Sequence, residues 1–164
     1  MPTLLYILRH AWAYEYDPDR WPNDRDRPLM KEGIARFQEV AKTLVDRGCA
    51  PELIATSPLI RCRQTADLLA SELNPRPPVV ELAALAPGSD LQELIVWSGS
   101  QQVESLAWVG HAPDVGLLVA ALLGNKFAGI RFAKGSAACV RFDGPVAAGQ
   151  GELQWHVTAK ILGC

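Results

Sequence analysis

The stretch Thr3-Leu4-Leu5-Tyr6-Ile7-Leu8-Arg9-His10-Ala11 decides the fold. A short, mostly apolar run of this kind is typical of a buried strand in an α/β protein, and ligands bind at the carboxyl ends of such strands. Arg9 offers a planar set of donors that suits phosphate, and His10 can act as a nucleophile if one ring nitrogen is free. An Arg-His pair is a weak motif by itself, so the stretch predicts an anion site only together with later segments.

The composition predicts one globular domain over residues 1–164 and argues against two classes of partner. A chain of 164 residues is long enough to bury a proper core. Its net charge is −2 and lysines and arginines form no run, so we expect neither nucleic acid nor an anionic membrane as a partner. The longest apolar run, residues 115–123, is too short to span a membrane and predicts a buried helix.

The amino-terminal sequence and the cysteines predict a cytoplasmic protein. The first apolar run has no basic leader and no small-residue cleavage site, and Arg9 and His10 interrupt it. The four cysteines are scattered, which favours reduced thiols over a disulfide framework or a zinc site. Cys62, which follows Arg61 and so lies nearest the expected site, is interpreted as a packing residue rather than a reactive thiol.

Strands and helices are predicted to alternate through most of the chain. A polar loop with two prolines covers residues 12–27 and could form one wall of a site. Helices are predicted over residues 31–48, 57–73, 91–97 and up to 123, and strands over residues 53–56, 79–82, 105–109, 135–142 and 152–161. The last two strands could form a hairpin at the sheet edge, and His156 within the second of them is interpreted as structural.

Two further strand ends carry residues that suit an anion. Ser57 and Pro58 are typical of a helix start, so Arg61 is expected in the first turn, where free amides already favour an anion. His111 follows the strand at 105–109, after Gly110. In a mostly parallel sheet these positions meet Arg9 and His10 at one edge.

These features resemble the histidine phosphatase superfamily, whose hallmarks are an Arg-His pair after the first strand, an arginine in Ser-Pro-x-x-Arg-x-x-Gln-Thr, and a later histidine after a strand. The resemblance is most specific to SixA-like phosphohistidine phosphatases and covers residues 4–142. It is carried by Arg9-His10-Ala11, Arg27-Pro28-Leu29 with Gly33, Ser57-Pro58-Leu59-Ile60-Arg61-Cys62-Arg63-Gln64-Thr65, Pro87-Gly88-Ser89-Asp90, Gly110-His111-Ala112-Pro113 and Gly135-Ser136-Ala137-Ala138.

The resemblance implies a fold and a mechanism. The fold is a three-layer α/β/α sandwich with a mostly parallel central sheet, phosphoglycerate mutase-like. The implied catalytic residues are His10 as nucleophile, Arg9 and Arg61 as holders of the phosphoryl oxygens, and His111 as a further hydrogen-bond donor. No metal or other cofactor is required, because the cationic side chains take its place.

Other positions are less well determined by the resemblance. Arg27 is an expected extra phosphate contact, although a surface charge fits equally well. Glu81 and Asp90 are the candidate proton donors, and Asp90 could instead cap a helix. Ala11 stands where many members have glycine, and it would be strained if that backbone needed a positive φ. Met30 stands where threonine is common and cannot cap the following helix through a side-chain oxygen.

The expected activity is metal-independent hydrolysis of phosphohistidine on a protein, such as a histidine-containing phosphotransfer or signalling protein, with inorganic phosphate as product. A phosphohistidine leaving group departs as neutral imidazole and needs no strong general acid, whereas an alkyl ester without a donor forfeits roughly 10²–10⁴ in rate. The alternatives are a small-molecule phosphomonoesterase of the same superfamily and a non-catalytic phosphate- or phosphoprotein-binding module.

Overall fold

The computed structural model describes residues 1–164 and is built on one sheet of six strands flanked by four α-helices. Two short 3-10 helices, Asp24–Asp26 and Ala83–Leu85, lie in the connections. The main elements in chain order are β1 Thr3–Arg9, α1 Lys31–Asp46, β2 Leu53–Thr56, α2 Ile60–Ser71, β3 Val79–Glu81, α3 Leu91–Gly99, β4 Ser105–Gly110, α4 Asp114–Leu122, β5 Ala137–Phe142 and β6 Glu152–Val157.

The sheet has the order β3-β2-β4-β1-β5-β6. Strands β3, β2, β4 and β1 are parallel, whereas β5 runs antiparallel to β1 and pairs with β6 as an antiparallel edge hairpin. The predicted mostly parallel sheet is therefore confirmed. Its parallel part gathers the carboxyl ends of β1, β2 and β4 at one edge, as expected from the sequence.

Helices cover both faces of the sheet, and β1 contributes alternate side chains to each. Tyr6 and Leu8 pack in a core cluster with apolar residues of α1 and α2. Leu5 and Ile7 point to the other side, where they pack in a second cluster with residues of α3 and α4. The result is the predicted three-layer α/β/α sandwich. No helix is both long and apolar enough to cross a membrane.

Three of the differences between the predicted and observed boundaries have a local reason. Helix α2 begins at Ile60 rather than directly after the expected cap Ser57, because Leu59 is still extended, with ψ 137°. Strand β5 begins at Ala137 rather than Gly135, whose φ of +72° forms a turn. Strand β6 ends at Val157, and residues 158–163 are mostly turns rather than strand. As expected, Met30 precedes α1 without any side-chain capping hydrogen bond.

Gly33 in α1 allows the helix to pack directly on the chain that follows β1. A Cβ atom at this position would lie 2.2 Å from the carbonyl oxygen of Trp12. The same oxygen accepts the Met30 N–H at 2.9 Å, so it cannot move freely. The packing of α1 therefore fixes the segment immediately beyond Arg9 and His10.

We expect Gly33→Ala to lower the free energy of unfolding by about 1–3 kcal/mol, because the new methyl group would displace backbone rather than a flexible side chain. The matched control is Gly99→Ala, also at a helical position, where a Cβ would have no atom within 4 Å. The control is expected to be neutral or slightly stabilising. Urea unfolding of both variants checks this, and equal midpoints would contradict it.

Candidate active site

The backbone of His10 is held from both sides at the end of β1. Its N–H donates to the carbonyl of Gly110 at 3.0 Å, and its own carbonyl accepts the N–H of Gly135 at 3.0 Å. These bonds continue the pairing of β1 with β4 and β5 by one residue beyond the strand. The position of the imidazole is therefore tied to the centre of the sheet.

Gln64 and Thr65, in the first turns of α2, tie the helix to the neighbouring segments. The Thr65 hydroxyl donates to the carbonyl of Arg61 at 2.7 Å and accepts the N–H of Ala11 at 3.0 Å. The side-chain oxygen of Gln64 accepts the N–H of Leu29 at 2.7 Å. These contacts give the Gln-Thr pair of the motif a structural role. No non-glycine residue has a positive φ, so Ala11 is not strained.

His10 and His111 lie next to each other with their ring centroids 5.4 Å apart. Both residues are buried, with 7% and 5% of their surface exposed. Nδ1 of His10 lies 2.7 Å from the carbonyl oxygen of Ala11, which can only accept, so Nδ1 carries the proton. The lone pair is then on Nε2 of His10, which makes no hydrogen bond and is available to attack phosphorus.

Both imidazoles are neutral near pH 7. Burial lowers the pKa of His10 to about 3, and the positive charges of Arg61 and Arg9 act in the same direction. Burial and the Arg61 charge similarly lower the pKa of His111 to about 4. A neutral His10 retains its nucleophilic lone pair, as covalent catalysis requires.

Arg9 and Arg61 are each fixed by the protein and each keep a free donor. Nη1 of Arg9 donates to the carbonyl of Phe132 at 2.9 Å. Nη1 and Nη2 of Arg61 donate to the backbone carbonyl and carboxylate of Asp24 at 2.9 and 3.0 Å. The Nε atoms of both arginines are buried without a hydrogen-bond partner. The two guanidinium groups, beside two histidines, suit the oxygens of a phosphoryl group.

Asp24 is the site residue that the sequence interpretation missed. Besides Arg61, its carboxylate binds Nε of Arg27 at 2.7 Å, and Nη1 of Arg27 donates to the carbonyl of Tyr14 at 2.6 Å. The Arg27 hydrogen bond, followed by the Arg61 charge, lowers the pKa of Asp24, so it is ionised at neutral pH. The loop at residues 12–27 does form a wall of the site, through this carboxylate.

The remaining predicted site residues already bind other groups of the protein. Arg27 binds Asp24 and the Tyr14 carbonyl rather than standing free. Glu81, at the end of β3, is exposed and pairs with Nη1 of Arg63 at 3.6 Å. The carboxylate of Asp90 accepts the Glu93 N–H at 3.0 Å and caps α3. Neither Glu81 nor Asp90 forms a hydrogen bond or ion pair with the two histidines or with Arg9 and Arg61.

Two further residues contact the imidazole of His111. Ser57, which we expected to cap α2, is fully buried, and its hydroxyl lies 2.8 Å from Nε2 of His111. Cys62 is also fully buried, with its sulfur 3.4 Å from the same nitrogen. Burial raises the pKa of Cys62 to about 12, so the group is a thiol at neutral pH. His156 lies in β6 against the Phe132 ring, at 4.6 Å.

The lowered pKa values predict that acid destabilises the fold before the carboxylates titrate. Below about pH 6.5 the unfolded chain binds protons at His10 and His111 that the folded chain excludes, so stability falls as the pH drops towards 4. Each histidine contributes a loss of about 2 kcal/mol between pH 6.5 and 5. We expect His10→Gln with His111→Gln to flatten this dependence in urea unfolding. An unchanged pH dependence would contradict the assignment of neutral imidazoles.

Comparison with known proteins agrees with this arrangement. The family model of the histidine phosphatase superfamily (branch 1) matches residues 5–87, which include Arg9, His10 and Arg61. An uncharacterised protein of Picosynechococcus sp. (strain ATCC 27264 / PCC 7002 / PR-6) is 40% identical over 116 residues, covering 68% of each chain.

Solved structures give the same assignment over nearly the full length. The protein histidine phosphatase SixA complexed with tungstate has a TM-score of 0.84 and 26% identity, with 98% of this chain and 99% of that chain covered. A SixA protein from Agrobacterium tumefaciens, assigned as a phosphohistidine phosphatase, has a TM-score of 0.79 and 25% identity, with 96% and 99% covered. The chain therefore belongs to the histidine phosphatase superfamily and is SixA-like within it.

Proposed function

We propose that this protein hydrolyses phosphohistidine on a protein substrate through a phosphorylated His10. The observation that supports this substrate most directly concerns Asp24, the one carboxylate that contacts a proposed catalytic residue. It pairs with Arg61 and Arg27, which keep it ionised, so it is a poor proton donor. A protonated phosphohistidine needs no donor, because its imidazole leaves as a neutral group.

In the first step, Nε2 of His10 attacks phosphorus, and the P–N bond of the substrate breaks with its electron pair going to the departing imidazole. Arg9 and Arg61 hold the non-bridging oxygens through the guanidinium N–H groups that their protein acceptors leave unused. The negative phosphoryl group raises the pKa of His111, which then donates a hydrogen bond to it. In the second step, water attacks phosphorus, the bond between phosphorus and Nε2 of His10 breaks with its electron pair returning to the imidazole, and inorganic phosphate is released with the protons of the water.

The two alternative functions have less structural support. A phosphomonoesterase acting on alkyl esters requires a proton donor, yet Glu81 pairs with Arg63 and Asp90 caps α3. A module that only binds phosphate would gain from a cationic His10. Burial instead keeps that ring neutral, which suits a nucleophile better than an anion-binding group.

Replacing the nucleophile gives the first test of this proposal. We expect His10→Ala to lower phosphate release from a phosphorylated histidine-containing phosphotransfer domain by roughly 10³-fold or more, with EDTA present throughout. His156→Ala is the control, because His156 is another partly buried histidine and lies in β6. A wild-type protein that hydrolyses small phosphoesters and leaves the phosphoprotein intact would instead support the phosphomonoesterase.

The covalent intermediate gives an independent readout. Wild-type protein mixed with labelled phosphoprotein and quenched in alkali is expected to carry label that acid removes, as a phosphoramidate does. His10→Ala is expected to carry none. If the substrate is turned over but no label is found on the enzyme in samples taken at millisecond intervals, direct attack by water is the better explanation.

Asp24 is proposed to position Arg61 and Arg27 rather than to transfer a proton. We expect Asp24→Asn to lower kcat/KM on the phosphoprotein roughly tenfold, because an amide cannot pair with two guanidinium groups. Asp26→Asn is the matched control, since Asp26 lies in the same 3-10 helix and is exposed without an ion pair. Equal activities of the two variants, at equal melting temperatures, would remove Asp24 from the proposed site.

A further inference from the structure

A basic cavity of about 490 Å³ borders the proposed active site at Arg9. Besides Arg9, its lining includes Trp12, which lies two residues beyond His10. The lining contains no aspartate or glutamate. Its cationic members come from β1, α1, the segment before β5 and the segment after β6, and they are Arg9, Arg36, Arg131, Lys134 and Lys160.

No aspartate or glutamate side chain neutralises these cations. None of the five forms an ion pair with a carboxylate side chain, and the side chains of Arg131, Lys134 and Lys160 form no hydrogen bond at all. Arg36 stacks on the Trp12 ring at 4.0 Å and donates to the backbone oxygen of the last residue, Cys164, so the unpaired charges of the cavity are those of the other four cations. Since the whole chain has a net charge of −2, this cavity is a local positive region on a slightly negative protein.

The cavity shares Arg9 with the proposed phosphoryl site. Nη1 of its guanidinium donates to the carbonyl of Phe132, and Phe132 follows Arg131 in the chain. The charge of Arg131 is close enough to lower the pKa of Arg9 further, after burial. A substrate whose phosphoryl group contacts Arg9 and His10 would therefore bring its neighbouring groups to the cavity.

We propose that this cavity binds carboxylate side chains of the protein substrate that flank its phosphohistidine, so that the enzyme selects an acidic segment. This inference rests on the proposed function. The cations belong to separate segments around a space much larger than one phosphoryl group, which favours several spread carboxylates over a second phosphate. Arg131 and Lys160 are exposed, so a surface segment of a partner could reach them.

The test uses the full chain and three peptides that differ only around one phosphohistidine. The first has flanking glutamates, the second has glutamines at the same positions, and the third has the glutamines and one phosphoserine. The cavity variant combines Arg131→Gln, Lys134→Gln and Lys160→Gln, none of which is a proposed catalytic residue. The control variant combines Arg47→Gln, Arg76→Gln and Lys126→Gln, which remove the same charge from exposed positions elsewhere.

We expect the wild type and the control variant to prefer the glutamate peptide over the glutamine peptide. In the cavity variant, kcat/KM should fall roughly 10- to 100-fold on the glutamate peptide and stay unchanged on the glutamine peptide. The effect should appear mainly in KM and shrink with added salt. No preference in the wild type, or the same loss in the control variant, would overturn the proposal. A stronger cavity-dependent preference for the phosphoserine peptide would overturn the assignment to carboxylates.

Failure of the proposed function can be distinguished from failure of the cavity proposal. If neither protein releases phosphate from any peptide, calorimetric titration of the unphosphorylated glutamate peptide tests the cavity alone. Binding to the wild type that is lost in the cavity variant would support the anion site, and no binding to the wild type would overturn it.

Discussion

The pairing of β1 between β4 and β5 is the constraint on which the candidate site depends. The parallel register sets Arg9 opposite Gly110, so the next residues along the two strands are His10 and His111. Neighbouring strands lie about 4.8 Å apart, and the two rings accordingly have centroids 5.4 Å apart. A one-residue slip would turn one of these side chains to the opposite face of the sheet. The same hydrogen bonds that build the core therefore bring the two histidines together.

Burial at this edge has opposite consequences for the charge of the histidine and arginine side chains. It lowers the pKa of histidine and of arginine alike. Histidine starts near 6.5 and becomes neutral, whereas arginine starts so far above neutral pH that it remains charged. A single physical effect thus produces neutral imidazoles beside permanent positive charges. This combination suits attack on an anion better than four charged groups would.

Local sequence predicted most of the strands and helices, because each has its own periodicity and boundary residues, whereas the three-layer arrangement was implied by the family resemblance. The strand ends that carry Arg9, His10 and His111 were predicted for the same reason, as was the position of Arg61 in the first turn of α2. The Asp24 contact with Arg61 was not predicted, since it joins residues 37 positions apart through an irregular loop. Ser57 was misassigned as a helix cap, because its sequence context cannot reveal that its hydroxyl faces His111.

The basic cavity escaped sequence analysis for a related reason: its cations are scattered along the chain and form no charged run. Their arrangement also differs from that of the arginines in the phosphoryl site. Arg9 and Arg61 are each fixed by protein acceptors, which preorganises their free donors for a group of constant shape. Arg131, Lys134 and Lys160 have no such acceptors and can adjust to different positions of a ligand. Rigid donors suit a phosphoryl group of constant shape, and adaptable cations suit the variable surface of the proposed protein substrate.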